Sequence, residues 1–193
     1  MPEAHTSTRD LSGRTVLIAG ATSPAGDAAT RTLLAAVAGV ISTGRDAAKL
    51  VPLAALGART ETIDLTDEAA VNALAERVRH DGPVDGVLHL VGGWHGGGGL
   101  AGQTEADYRA LETSLTALRN VTRAFDAALR ASPESRVAII SSTAVTRPLA
   151  GGANYAAVKA ASEAWTRAVA QGFAKMARDA GETPSAASVV FRA

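Results

Sequence analysis

Between residues 15 and 191 the chain alternates six times between short apolar runs and longer helical stretches. The runs are Thr15–Ala19, Val40–Thr43, Thr60–Ile63, Val84–Val91, Arg136–Ser141 and Ala187–Phe191. The helical stretches are Ala25–Ala38, Asp46–Leu56, Asp67–His80, Glu105–Ala131 and Asn154–Ala180. Leu33, Leu34 and Val37 share one face of the first, and Thr66 is the expected cap of the third. Gly92–Gly102 reads as a glycine-rich loop. The runs are continuous rather than alternating, as in strands covered on both faces. This order predicts an α/β fold, a doubly wound parallel sheet of about six strands in three layers. Residues 1–10 read as a flexible leader and residues 11–193 as a single domain, with no linker and no internal repeat.

The bulk numbers narrow the classes. A chain of 193 residues, 47% hydrophobic, can bury a sizeable core. Nineteen basic residues balance nineteen acidic ones, so no global field draws the chain to nucleic acid or an anionic membrane. There is no cysteine, hence no disulfide framework or thiolate nucleophile. The polar N-terminus has no apolar signal core, and no apolar run reaches membrane-helix length. The expectation is a soluble cytoplasmic protein with a small-molecule partner, binding neither nucleic acid nor membrane.

Three places carry candidate chemistry. The first is Gly20-Ala-Thr-Ser-Pro-Ala-Gly26, which joins the first strand to the first helix. Glycines here permit a sharp turn and close approach to a pyrophosphate, and the helix start offers N–H groups to phosphates. Gly20, Thr22, Ser23, Ala25 and Gly26 are the candidates. An ordinary strand-to-helix turn can carry the same glycines; the position after the first strand favours a nucleotide. The second place is Ser42-Thr43-Gly44-Arg45-Asp46, where the second strand ends and Asp46 reads as a helix cap. The third is Tyr155-Ala-Ala-Val-Lys159, which sets a phenol and an ammonium on one helix face. With two tyrosines and three lysines in the chain, chance gives such a pair in about three chains in a hundred. Ser142 lies thirteen residues earlier at the end of the fifth strand, the edge where ligands bind in open parallel sheets. Ser141 is the alternative, and both serines could instead cap loop N–H groups.

These motifs resemble the short-chain dehydrogenase/reductase family over residues 11–193. The resemblance implies an NAD(P)(H)-dependent oxidoreductase acting on a carbonyl or secondary alcohol, with Ser142, Tyr155 and Lys159 as its catalytic group. An ammonium beside a phenol favours the phenolate, the serine hydroxyl can steady the substrate oxygen, and the cofactor supplies the hydride. Tyr155 and Lys159 also face the cofactor. The acid that would hold the ribose hydroxyl of NAD is replaced by Gly44, and Arg45 follows, so NADP(H) is favoured over NAD(H). The alternative for Arg45 is a solvated loop charge. Asp64 and Leu65 fall where the family contacts adenine, although Asp64 suits a cap or turn as well. Of the fourth-strand motif only the closing glycine matches, and the resemblance implies that Gly92 and Gly93 keep the backbone close to the cofactor.

The departures are specific. Pro24 stands at the family's middle glycine and removes one N–H. His89-Leu90-Val91-Gly92 replaces Asn-Asn-Ala-Gly. Ser114 stands near the family's relay asparagine, and Asn120 lies too far along. The usual lid and seventh strand are either missing or outside this sequence, which would leave the sixth strand an exposed edge. Trp94-His95 and the glycines after it could suggest an esterase oxyanion loop, but no Gly-x-Ser-x-Gly elbow accompanies it. His89 and His95 are too few for a metal site, so none is assigned. The loop is read as flexible and bordering the substrate pocket, with Trp94 as a wall. The resemblance further implies a homodimer or homotetramer through the two long helices. The alternative function is a non-catalytic or regulatory nucleotide-binding protein on the same fold.

Overall fold

Thr15–Ala19 is so apolar that it must be covered on both faces, and it forms the innermost strand, β1. In the computed structural model, which describes residues 10–193, β1 pairs in parallel with β2 (Gly39–Gly44) and β4 (Gly86–His89). Beyond them lie β3 (Arg59–Thr62), β5 (Arg136–Ser141) and β6 (Ala187–Arg192), giving the order β3-β2-β1-β4-β5-β6. All five pairings are parallel. The helices are α1 (Pro24–Ala35), α2 (Ala47–Ala55), α3 (Glu68–Arg79), α4 (Glu105–Ala124), α5 (Asp126–Ala131) and α6 (Ala153–Ala180). This is the expected doubly wound, Rossmann-like α/β fold. Apart from Asp10, the leader expected over residues 1–10 lies outside the described residues.

The strand alternation divides the core in two. Leu17, Ala19, Val87 and Val137 face Val71, Leu74, Val121 and Phe173 of α3, α4 and α6. Ile18 and Val40 face the other way, onto Leu50 and Leu53 of α2 and the inner side of α1. On that second side Leu33, Leu88 and Ala138 line a groove, and the paired residues Ile140 and Phe191 are exposed. No helix of the described residues is long and apolar enough to cross a membrane.

Four local expectations change. β3 is Arg-Thr-Glu-Thr rather than an apolar run, because it is an edge strand whose Arg59 and Glu61 pair in partial solvent. The cap of α3 is Asp67, whose carboxylate accepts from Ala70 N–H, while the Thr66 hydroxyl donates to Asp64. The helix expected over Glu105–Ala131 divides at Phe125, where ψ is 3° and the side chain is buried in the core. α1 stops at Ala35, and Val37 leaves its expected apolar face with φ 63° and 64% exposure.

A β-branched residue in the left-handed region is strained, and Val37 recovers little by burial. Val37→Gly is expected to stabilise the fold by about 1 kcal/mol, read as a higher urea midpoint at unchanged slope.

Candidate active site

The C-terminal ends of β1, β2, β4 and β5 open on one edge of the sheet, where the strand order reverses between β1 and β4. The turn after β1 is built by contact. Gly20 has φ 87°, and a Cβ on it would come within 3.0 Å of the Leu90 backbone. A Cβ on Gly26 would stand 2.5 Å from Gly20 O and from Ala21 Cα. Ser23 caps α1: its Oγ accepts from Gly26 N–H at 3.1 Å and donates to Gly20 O at 2.9 Å. Pro24 occupies the first helical position, where a missing N–H costs least. The Ser23 hydroxyl proton is thus spent on Gly20 O, and the Gly26 N–H on Ser23 Oγ. The N–H groups of Thr22 and Ala25 have no partner among the described residues.

Beside this turn lies a cleft of about 190 Å³, bordered by Gly20, Thr22, Ser23, Arg45, Asp64, Leu65 and Gly92. Seven of the residues proposed from sequence therefore meet in one place. Gly44 belongs there for a steric reason, since a Cβ would sit 2.5 Å from Thr22 Cγ2. Arg45 is exposed and makes no ion pair among the described residues. Asp46 caps α2 by accepting from Ala48 and Lys49 N–H. Asp64 Oδ1 takes the Thr66 N–H and hydroxyl, and these bonds, helped by the Arg45 charge, hold its carboxyl below the usual range. Sequence reasoning missed Thr113 and Ala117 of α4, which also border the cleft. It missed the role of Asn120 too, whose amide donates to Leu65 O and Thr66 O and holds that wall.

The catalytic candidates stand on β5 and α6. Lys159 and Tyr155 are one turn apart, with Nζ 5.7 Å from the phenol ring centroid. Nζ donates to Ile140 O at 2.7 Å, and burial lowers the pKa of this ammonium. Ser141 and Ser142 diverge. Ser141 is buried and donates to Glu163 at 2.7 Å. Glu163 also holds Arg192 and Arg167, and these partners, Arg192 foremost, bring its carboxyl to about 2. Ser142 is half-buried, and its Oγ accepts from Ala144 N–H at 3.2 Å, which leaves its own proton available.

Between cleft and catalytic candidates lies a group that the sequence does not announce. A Cβ on Gly92 would be 3.7 Å from Lys159 Nζ and 3.8 Å from Ser114 Cβ. His89 is 5% exposed; its Nε2 lies 3.0 Å from Ser114 O, and its Nδ1 is buried without a partner among the described residues. A carbonyl can only accept, so Nε2 carries the proton and the ring is neutral. Burial, with a smaller push from Lys159, lowers its pKa to about 4. Ser114 spends its hydroxyl on Leu111 O.

The loop after Gly92 is fastened rather than loose. Gly97 N–H donates to Gly151 O at 2.7 Å, and the Gln103 side chain spans both segments. Trp94 is 64% exposed, and of the residues expected to face a cofactor Ala25, Gly26, Gly93, Tyr155 and Lys159 do not border the cleft.

A family model described as short chain dehydrogenase matches residues 14–177. Among solved structures, one from Streptomyces avermitilis, a short-chain dehydrogenase, is 27% identical with a TM-score of 0.79; the match covers 92% of this chain and 64% of that one. A short chain dehydrogenase of Pseudomonas syringae is 25% identical at TM-score 0.80, over 86% of this chain and 72% of the other. A Shigella flexneri short chain dehydrogenase complexed with NADP shares the fold at 24% identity and TM-score 0.80, over 86% and 75%. The chain thus spans slightly under two thirds of the Streptomyces protein. No curated protein matches it.

His89 generates a pH dependence. An unfolded chain takes up an imidazole proton near pH 6.5, whereas the folded chain refuses it until about pH 4. The contribution is therefore complete above pH 6.5 and lost as pH falls toward 4, about 3 kcal/mol in all. Urea denaturation at pH 7 and pH 4.5 is expected to show a smaller acid loss in His89→Asn than in the parent.

Proposed function

The chain belongs to the short-chain dehydrogenase family, and from that premise we propose that it transfers a hydride between NADP(H), in preference to NAD(H), and a carbonyl or secondary-alcohol substrate. The observation that carries the reading is Tyr155 and Lys159 side by side on α6, at the sheet edge that holds the cleft. The glycine-lined turn, open at Thr22 and Ala25 N–H, suits a pyrophosphate. Gly20 and Gly26 would let it approach, with Ser23 ordering the turn rather than binding. Arg45, exposed at the cleft wall with no ion pair among the described residues, would take the 2′-phosphate, and Asp64 and Leu65 would face the adenine. Gly92 and Gly93 would line the path toward the reacting end, where Tyr155 and Lys159 would meet the ribose. Residues 11–193 then act as one cofactor-binding and catalytic domain.

When bound, the nicotinamide supplies the hydride. This chain's residues manage the proton and the charge. In reduction, the Tyr155 hydroxyl donates its proton to the substrate oxygen, and the Lys159 ammonium stabilises the negative charge left on the phenol. Lys159 is itself held in place by Ile140 O. Ser142, whose Oγ is oriented by Ala144 N–H, donates to the same substrate oxygen. Ser141 is committed to Glu163, which favours Ser142 for this role. Oxidation of an alcohol runs the same steps in reverse. A cytoplasmic homo-oligomer formed through α4 and α6 completes the proposal.

One observation favours a second reading, a regulatory nucleotide-binding protein: Pro24 and the Ser23–Gly26 bond leave the turn few donors for phosphate. The two readings separate on turnover. NADPH oxidation across a screen of ketones and aldehydes is expected, and Tyr155→Phe should lower it by roughly 10²–10⁴-fold at unchanged NADPH affinity. Arg45→Ala should weaken NADPH at least tenfold, about 1.4 kcal/mol, and NADH by less than about twofold. NADPH binding without turnover, indifferent to Tyr155→Phe, would establish the second reading.

A further inference from the structure

Helix α6 carries Tyr155 three positions after its N-cap, and that N-cap is Gly152, which has no side chain to cap with. The first turn of a helix leaves N–H groups without intrahelical partners, and a glycine cap leaves that need to something else. Here a residue 51 positions away meets it. Gln103 Oε1 accepts the Asn154 N–H at 3.2 Å. The same amide uses its nitrogen on the other side. Gln103 Nε2 lies 2.9 Å from Gly151 O, 3.0 Å from Gly97 O and 3.3 Å from Gly99 O. Two hydrogens shared among three carbonyls make a junction rather than a single bond.

The neighbouring contacts converge on it. Gly97 N–H donates to Gly151 O, and Asn154 Nδ2 donates to Thr104 O at 3.2 Å. Gly96 cannot carry a side chain, because its Cβ would stand 2.5 Å from Gly151 O. The glycine loop, the turn before α6 and the first turn of α6 are thus joined through one neutral side chain.

We propose that Gln103 is the positioning residue of the catalytic wall, resting on the hydride-transfer reading above. It caps the helix that presents Tyr155 and fixes the loop facing it, so turnover depends on it while cofactor binding does not. None of its four contacts belongs to the cleft beside Gly20 and Arg45. Only a side chain with both an acceptor and a donor at this reach does both jobs. Gln103→Leu removes both halves. Gln103→Glu keeps the acceptor, which is well placed at a helix N-terminus, but turns a carboxylate toward three carbonyl oxygens.

The full chain is examined as parent, Gln103→Leu and Gln103→Glu. The readouts are amide hydrogen exchange, NADPH fluorescence titration, and kinetics with 1-phenyl-1,2-propanedione as carbonyl probe. In Gln103→Leu, exchange at Asn154 and Gly97 is expected to accelerate at least tenfold, and kcat to fall at least tenfold. NADPH affinity should stay within twofold. In Gln103→Glu, Asn154 protection and most of kcat are expected to return while Gly97 exchanges fast and the probe's KM stays raised. That split separates positioning from general destabilisation, which would move both variants together. Unchanged exchange in Gln103→Leu, or unchanged kcat and KM in an active parent, overturns the proposal alone. A parent that binds NADPH but reduces neither the diketone nor any member of the carbonyl screen overturns the hydride-transfer reading and the positioning role with it.

Discussion

The carboxylate of Asp85 sits at the start of β4 and ties it to β1. Its Oδ2 takes the Thr15 N–H at 2.8 Å, and its Oδ1 takes the Ser132 hydroxyl at 2.7 Å and the Arg14 guanidinium at 3.1 Å. Asp85 is 4% exposed, so burial alone would raise its pKa; the Ser132, Thr15 and Arg14 bonds outweigh that and hold it ionised. Its own backbone continues the join, donating to Thr15 O and accepting from Arg136 N–H. Three strands are pinned at one buried anion. A slip of one residue here would turn every side chain of β4 to the wrong layer.

What that anchor secures appears at the other end of the strands. With Val16 opposite Gly86, Ala19 comes opposite His89, and Gly20 meets the Leu90 backbone at the distance only glycine tolerates. The same register sets Gly92 between Ser114 and Lys159. It also brings the end of β5 to α6, where Ile140 O accepts from Lys159 and the Ser141 hydroxyl donates to Glu163. The cleft and the catalytic candidates share one edge because the ladder from β1 to β5 leaves them no other arrangement. Helix α6 is held toward the sheet by Lys159 and buried Glu163, and at its first turn by Gln103.

Much of this was legible in the sequence where physics is local. β1 and β5 have the ends read from their apolar runs, and Asp46 caps its helix as its position suggests. The Tyr155–Lys159 pair was legible because helical spacing is regular and both residues are rare in this chain. The failures have non-local causes. Phe125 breaks a good helical pattern because its side chain belongs to the core. β3 is polar because it lies at an edge, which only topology reveals. Gln103 gave no signal, and His89 showed only as a departure from the family motif, since the Asn154 N–H that Gln103 caps lies 51 residues away and the Ser114 carbonyl that His89 meets lies 25 away.

The central claim is that this sheet edge brings a nicotinamide and a carbonyl together beside Tyr155. The most direct measurement is isotope transfer. NADPH deuterated on one face of the hydride-donating carbon is incubated with protein and a ketone from the screen, and the alcohol is read by mass spectrometry. The account predicts one deuterium on the former carbonyl carbon from one labelled face and none from the other. Saturable binding of the labelled cofactor with no deuterium in any product would contradict it.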